Sequence, residues 1–117
     1  PLYALMARTA DELRRRAARL RRRLAGLGVP ARSRPTRSAV GGGTTPDETL
    51  PSWGLGVAGG QALADALRRV EPPVIARIEE DEVVLDLRTV RPAEEAELVA
   101  GVAAAYTGLS ARTASGR

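Results

Sequence analysis

The stretch Val74–Arg88, VIARIEEDEVVLDLR, decides how this chain folds. Two segments, Val74–Glu79 and Val83–Arg88, each alternate with the period of a strand around an acidic centre. With Glu80 and Asp81 as a two-residue turn, Glu79 faces Glu82, Arg77 faces Val84 and Ile75 faces Asp86. Val74, Ala76 and Ile78 then share a face with Val83, Leu85 and Leu87, and the opposite face carries Ile75, Val84, Arg77, Asp86 and Arg88. The turn has no glycine, so Asp81 is expected to take a left-handed conformation, which aspartate tolerates.

Outward from this hairpin the pattern changes period. Gln61–Val70 places Leu63, Ala66, Leu67 and Val70 on one helical face, and Pro72 and Pro73 stop it. Ser52–Val57 alternates again, with Trp53, Leu55 and Val57 against Ser52, Gly54 and Gly56, which predicts a half-buried strand. Ala31–Val40 is polar but extended in character, and Pro35 marks it as an edge strand. Thr9–Leu27 predicts an amphipathic helix: Thr9 and Glu12 have capping-box spacing, Leu13, Ala17, Leu20, Leu24 and Leu27 form one stripe, and Gly28 and Pro30 end it. A last helix begins at Pro92, with Glu94 and Glu95 complementing its dipole and Leu98, Val102 and Tyr106 inward. Thr107–Arg117, TGLSARTASGR, is expected to be a disordered tail, leaving residues 1–106 as the domain.

The element order is helix, strand, strand, helix, strand, strand, helix. It predicts an α+β two-layer sandwich: a four-stranded, mostly antiparallel sheet with helices on one face. The helical crossover between Val57 and Val74 leaves a gap for the last strand, which gives the strand order 3-4-2-1. The second sheet face, mixed apolar and charged, is expected to dock against another domain.

Composition excludes several chemistries. The chain has 117 residues, enough for one domain with a modest core. It has no Cys and no His, which removes disulfides, thiolate nucleophiles, the usual zinc sites and a Ser-His-Asp triad. All 18 basic residues are Arg, and a chain without Lys cannot form a Schiff base with an aldehyde cofactor. Residues 1–37 carry eleven Arg against two acids, net +9, whereas residues 38–117 carry seven Arg against twelve acids, net −5. Arg14, Arg15, Arg16, Arg19, Arg21, Arg22 and Arg23 are either the solvated back of the first helix or a surface for RNA, although no interleaved aromatics are present to stack bases. No apolar run of about 18 residues predicts a membrane span, and no secretory signal pattern opens the chain. The apolar start PLYALM reads as a chain already in progress.

Three motifs carry a resemblance. VGGGTTPDETLPS at Val40–Ser52, PPVIARI at Pro72–Ile78 and LDLRTV at Leu85–Val90, in this order and at these intervals, resemble the C-terminal region of bacterial L-seryl-tRNA(Sec) selenium transferases, the selenocysteine synthases. The resemblance extends from about Pro1 to Tyr106. The family pattern differs mildly where this chain has Gly43-Thr44-Thr45-Pro46, Ile75-Ala76-Arg77-Ile78 and Glu80-Asp81.

The resemblance implies a cytoplasmic pyridoxal-phosphate enzyme of the aspartate-aminotransferase fold (fold type I). That enzyme converts seryl-tRNA(Sec) to selenocysteinyl-tRNA(Sec) with selenophosphate. Its large domain holds the cofactor on a lysine and a separate N-terminal domain binds the tRNA; neither is in this chain. The chain then corresponds to the small C-terminal domain closing one side of the active site, non-catalytic when isolated and partnered by the large domain of a homo-oligomeric enzyme. The other reading is a free-standing basic RNA-binding or scaffold domain related to it.

No catalytic, cofactor-binding or metal-binding residue is expected in the chain. Arg77 either pairs diagonally with Asp86 or, as the resemblance implies for a small-domain arginine on this strand, holds a substrate anion through its planar fork. The seryl carboxylate is esterified, so that anion would be selenophosphate or a tRNA phosphate. Arg88 has the same two readings. Gly41, Gly42 and Gly43 form a permissive connection, a flexible linker, which the closely flanking motif residues disfavour, or a loop that offers backbone N–H groups to an anion. They are not a P-loop, because Gly-Lys-Ser/Thr is missing.

Overall fold

The computed structural model describes residues 2–39, 49–74 and 76–115. Helix α1 spans Leu2–Gly26, so Thr9 lies inside it rather than at its start. Residues 2–8 contain Leu, Ala, Met and Arg with no Gly or Pro, and such residues extend a helix backwards past a local capping signal. The far end closes by backbone geometry. Gly28 takes φ 85°, the Val29 N–H donates to the Leu24 carbonyl at 2.9 Å, and the Gly28 N–H donates to that of Ala25 at 3.1 Å. This closure turns Val29 into the core and leaves Leu27, expected on the buried stripe, 54% exposed.

The strands are β1 (Ala31–Ala39), β2 (Thr49–Ala58), β3 (Arg77–Glu79) and β4 (Glu82–Asp86), in the sheet order β1-β2-β4-β3, with every neighbouring pair antiparallel. This is the order expected from the sequence, with β1 at an edge. Helix α2 (Gly60–Arg69) makes the crossover from β2 to β3, and β4 fills the gap between them. Two 3₁₀ turns, Leu87–Thr89 and Pro92–Glu94, lead into α3 (Glu95–Ser115).

The hairpin register is the expected one, Glu79 opposite Glu82 and Arg77 opposite Val84. Both turn residues are left-handed, Glu80 at φ 54° and Asp81 at φ 65°. Strand β3 is shorter than expected and begins at Arg77. Before it, the Val74 N–H donates to the Leu67 carbonyl at 2.8 Å, which draws the chain toward α2 and away from β4. Ile75 lies outside the described residues, and Ile78, expected inward, is 38% exposed on the edge strand.

One apolar cluster joins the layers. Leu13, Ala17, Leu20 and Leu24 of α1 meet Leu55 and Val57 of β2, Val83 and Leu85 of β4, Leu63 and Leu67 of α2, and Leu98 and Val102 of α3. Val84 is equally buried but belongs to the other sheet face, outside this cluster. Helix α3 runs past Tyr106 to Ser115, through the segment expected to be a disordered tail. Ala103, Ala104, Ala105, Leu109 and Ala111 favour helix strongly enough to carry it across Gly108, whose cost is about 1 kcal/mol. Gly116 and Arg117 lie outside the described residues.

Candidate functional site

The pleat puts Arg32, Arg34, Thr36 and Ser38 of β1 on the second sheet face with Ser52, Gly54 and Gly56 of β2, Glu82, Val84 and Asp86 of β4, and Arg77 and Glu79 of β3. The two glycines make a trough along β2. A Cβ on Gly54 would lie 2.3 Å from the Leu85 carbonyl oxygen, and one on Gly56 would lie 2.4 Å from the Glu82 carboxyl carbon. Side chains of the edge strand therefore cross over β2 and reach β4 and β3.

Arg32 grips Glu82 through Nε at 2.8 Å and Nη2 at 3.0 Å, a bidentate pair. Arg34 donates from Nη1 to Glu82 at 2.5 Å and from Nη2 to Glu79 at 3.0 Å, and its side chain is only 12% exposed. Thr36 donates its hydroxyl to Glu79 at 3.2 Å and accepts from Arg77 Nη2 at 2.7 Å. Arg77 also reaches Glu79 through Nε at 3.1 Å and lies 3.6 Å from Asp86 through Nη1. Asp86 is buried and accepts from the hydroxyls of Ser52, at 2.6 Å, and Ser38. Three guanidinium groups thus face three carboxylates, and the layer is neutral. Hydrogen bonds from Arg32 and then Arg34 hold the Glu82 carboxyl below the usual value of 4.5, against the opposing effect of burial.

Arg77 makes the diagonal pair with Asp86. At 43% side-chain exposure it is far more open than Arg34, and it lines a groove of about 520 Å³ between the Pro72–Val74 segment and the first turn of α3. Arg88 lies in the first 3₁₀ turn rather than on β4. It donates from Nη2 to the Pro51 carbonyl, and its backbone N–H donates to Asp86 at 3.0 Å. Its Nε is buried and has no hydrogen-bond partner among the described residues. Gly41, Gly42 and Gly43 lie outside the described residues.

A second constellation escaped the sequence reading. Arg16, one of seven arginines on α1 between residues 14 and 23, is not on the solvated back. It donates to Glu95 at 2.5 Å, to the Val90 carbonyl at 2.7 Å and to the Leu87 carbonyl at 3.4 Å. Arg19 adds a 3.3 Å contact to the same carboxylate. Burial pushes the Glu95 carboxyl up, and the two arginines together outweigh it and hold the group below its usual value of 4.5. This clamp fastens α1 to the chain between β4 and α3.

Nothing in the chain fits covalent capture of pyridoxal phosphate, because there is no lysine. No helix among the described residues is long and apolar enough to cross a membrane.

Comparison with known proteins gives one family. The family model for L-seryl-tRNA selenium transferase matches residues 1–91. The L-seryl-tRNA(Sec) selenium transferase of Moorella thermoacetica is 39% identical over 115 residues, covering 92% of this chain and 24% of the relative. That of Desulfomicrobium baculatum is 40% identical over 109 residues, covering 86% of this chain and 23% of the relative. That of Hyphomonas neptunium is 38% identical over 94 residues, 76% of this chain and 20% of the relative. The chain thus spans about a quarter of the length of the curated relatives it matches. With the family model covering most of its length and relatives near 40% identity covering nearly all of it, this chain belongs to the L-seryl-tRNA selenium transferase family.

Proposed function

We propose that the chain is the small C-terminal domain of a cytoplasmic, pyridoxal-phosphate-dependent selenium transferase, which makes selenocysteinyl-tRNA(Sec) from seryl-tRNA(Sec) and selenophosphate. The cofactor supplies electron withdrawal at the seryl α-carbon. It is held by a lysine of the large domain, and this chain is non-catalytic when isolated. The observation that carries the reading, beside family membership, is the neutral Arg–carboxylate layer on the sheet face opposite the helices. Side chains committed to one another present a stiff polar surface, suited to docking on a second domain. Arg77 is the layer's most accessible guanidinium apart from Arg32, and the only one beside the groove. It is the residue proposed to meet selenophosphate or a tRNA phosphate as the domains close.

Arg77→Ala in the full-length enzyme tests this. Loss of one charge-assisted contact costs about 2–3 kcal/mol, so selenocysteinyl-tRNA formation should fall by about 30- to 150-fold. Affinity for tRNA should be nearly unchanged, and Arg77→Lys should rescue poorly, because an ammonium lacks the planar fork. If Arg77 serves only its pair with Asp86, Arg77→Ala and Asp86→Ala will behave alike and turnover will stay near normal. That outcome removes the anion role and leaves the domain assignment standing.

A further inference from the structure

We propose that the C-terminal end of α1 is a contact surface for the sugar–phosphate backbone of tRNA, with Arg21, Arg22 and Arg23 as its cationic groups. This rests on the transferase reading above and extends it to a second place on the domain. Four of the seven arginines between residues 14 and 23 of α1 are already paired. Arg14 and Arg15 share Asp11, at 2.8 and 2.6 Å, and Arg16 and Arg19 share Glu95. Arg21, Arg22 and Arg23 pair with no acid among the described residues. They do not cap the helix either. The Leu24 carbonyl accepts from Leu27 and Val29, and that of Ala25 accepts from Gly28.

The outward side of this end is open: Arg22, Arg23 and all residues from Ala25 to Gly28 are exposed and Arg21 is half-buried, while Leu24 and Val29 anchor the end in the core. Successive residues on a helix are about 100° apart, so three consecutive arginines fan around the end instead of converging on one small anion. A fan of planar, permanently charged donors suits a polymer with a phosphate at every unit. A membrane surface is the poorer match. An interfacial helix needs its apolar face free, and that of α1 is buried against the sheet.

The test uses the full-length enzyme and unacylated tRNA(Sec), with affinity measured across a salt series. The triple variant Arg21→Gln/Arg22→Gln/Arg23→Gln should bind more weakly, and its log–log salt slope should fall by about 2–3, since each of the three lost phosphate contacts removes roughly 0.7–0.9. The triple Lys variant should keep the wild-type slope. Turnover of the Gln variant should show a raised KM at unchanged kcat. Should the triple Gln variant fold poorly, the single reversal Arg22→Glu carries the same comparison. An unchanged affinity and slope in the Gln variant overturns the inference while wild-type activity upholds the transferase reading. A Lys variant as weak as the Gln variant also overturns it, as does loss of binding to anionic phospholipid vesicles with tRNA binding intact. A wild-type enzyme that binds no tRNA overturns both.

Discussion

On the helix side of the sheet, Leu55 of β2 faces Leu85 of β4; one position along, on the other side, Gly54 faces Asp86. Both positions are buried, yet they are held by different forces. The apolar side is non-directional: area removed from water counts, and neighbours can repack around a change in shape. The polar side depends on direction and on number. Each guanidinium needs its carboxylate, and β2 must stay bare for the arms of β1 to cross. Adjacent positions on one strand should therefore respond in opposite ways to a change in side-chain size.

The largest effect is expected on the apolar side. Leu55→Ala leaves a cavity beneath α1 and should cost about 3–4 kcal/mol, read from chemical denaturation. On the polar side, adding atoms should do the damage. Gly54→Ala forces a methyl group against the Leu85 carbonyl, backbone that cannot swing away, and should cost about 2–3 kcal/mol. Gly56→Ala meets only the mobile end of Glu82 and should cost about 1 kcal/mol, by displacing that carboxylate from Arg32 and Arg34. Equal costs at the two glycines would break the claim that clearance over β2 is what they provide.

Acid separates the two faces next. Glu82 on the polar face and Glu95 in the α1 clamp both titrate below 4.5 in the folded protein. A depressed carboxyl adds stability that is fully present above the unfolded value and lost as pH falls through the folded one. Stability should therefore hold steady above about pH 5 and decline below about 4.5, and Glu95→Gln should flatten that decline. An acid profile identical in wild type and Glu95→Gln would show that the clamp carboxylate contributes none of it. The smallest effect is a gain. Glu80 and Asp81 both sit in the left-handed region, so replacing the pair by Asn-Gly should raise stability by about 0.5–1 kcal/mol. Thermal melting of the hairpin variant checks it.

The apolar half of this contrast was legible in the sequence because it is periodic. Alternation at Trp53, Leu55 and Val57 and at Val83 and Leu85 marked two strands and their inward face, and the four-residue and three-residue spacing from Leu13 to Leu24 marked the buried stripe of α1, though not its start at Leu2 or the exposure of Leu27. The polar half alternates as well, but without an apolar contrast to mark it, because Ala31–Ala39 is largely polar on both of its faces. Its signal was divided between two strands, Arg32 and Arg34 on one and Ser52, Gly54 and Gly56 on the next. Only once these lie side by side do the glycines read as clearance. The clamp was harder still, because Arg16 and Glu95 are 79 positions apart and Arg16 is embedded among equivalent-looking arginines. Of the candidate site, Arg77 was placed on its strand and beside Asp86 as read. Arg88 was assigned to a strand that ends two residues earlier, where Asp86 accepts from the Arg88 N–H and turns the chain into a 3₁₀ helix.

The charged layer also constrains how this domain can change over evolutionary time. Arg32, Arg34, Arg77, Glu79, Glu82 and Asp86 come from three strands and form one chain of ion pairs; loss of Glu82 or Arg77 leaves Arg32 or Asp86 without its ion-pair partner among the described residues, loss of any other member breaks a link, and a side chain at Gly54 or Gly56 disturbs several at once. Positions such as Leu55 can drift singly among residues of similar volume. The six charged positions are bound into one heritable unit, able to vary in concert but resistant to substitution one at a time, so relatives that depart here should depart at several of these sites together.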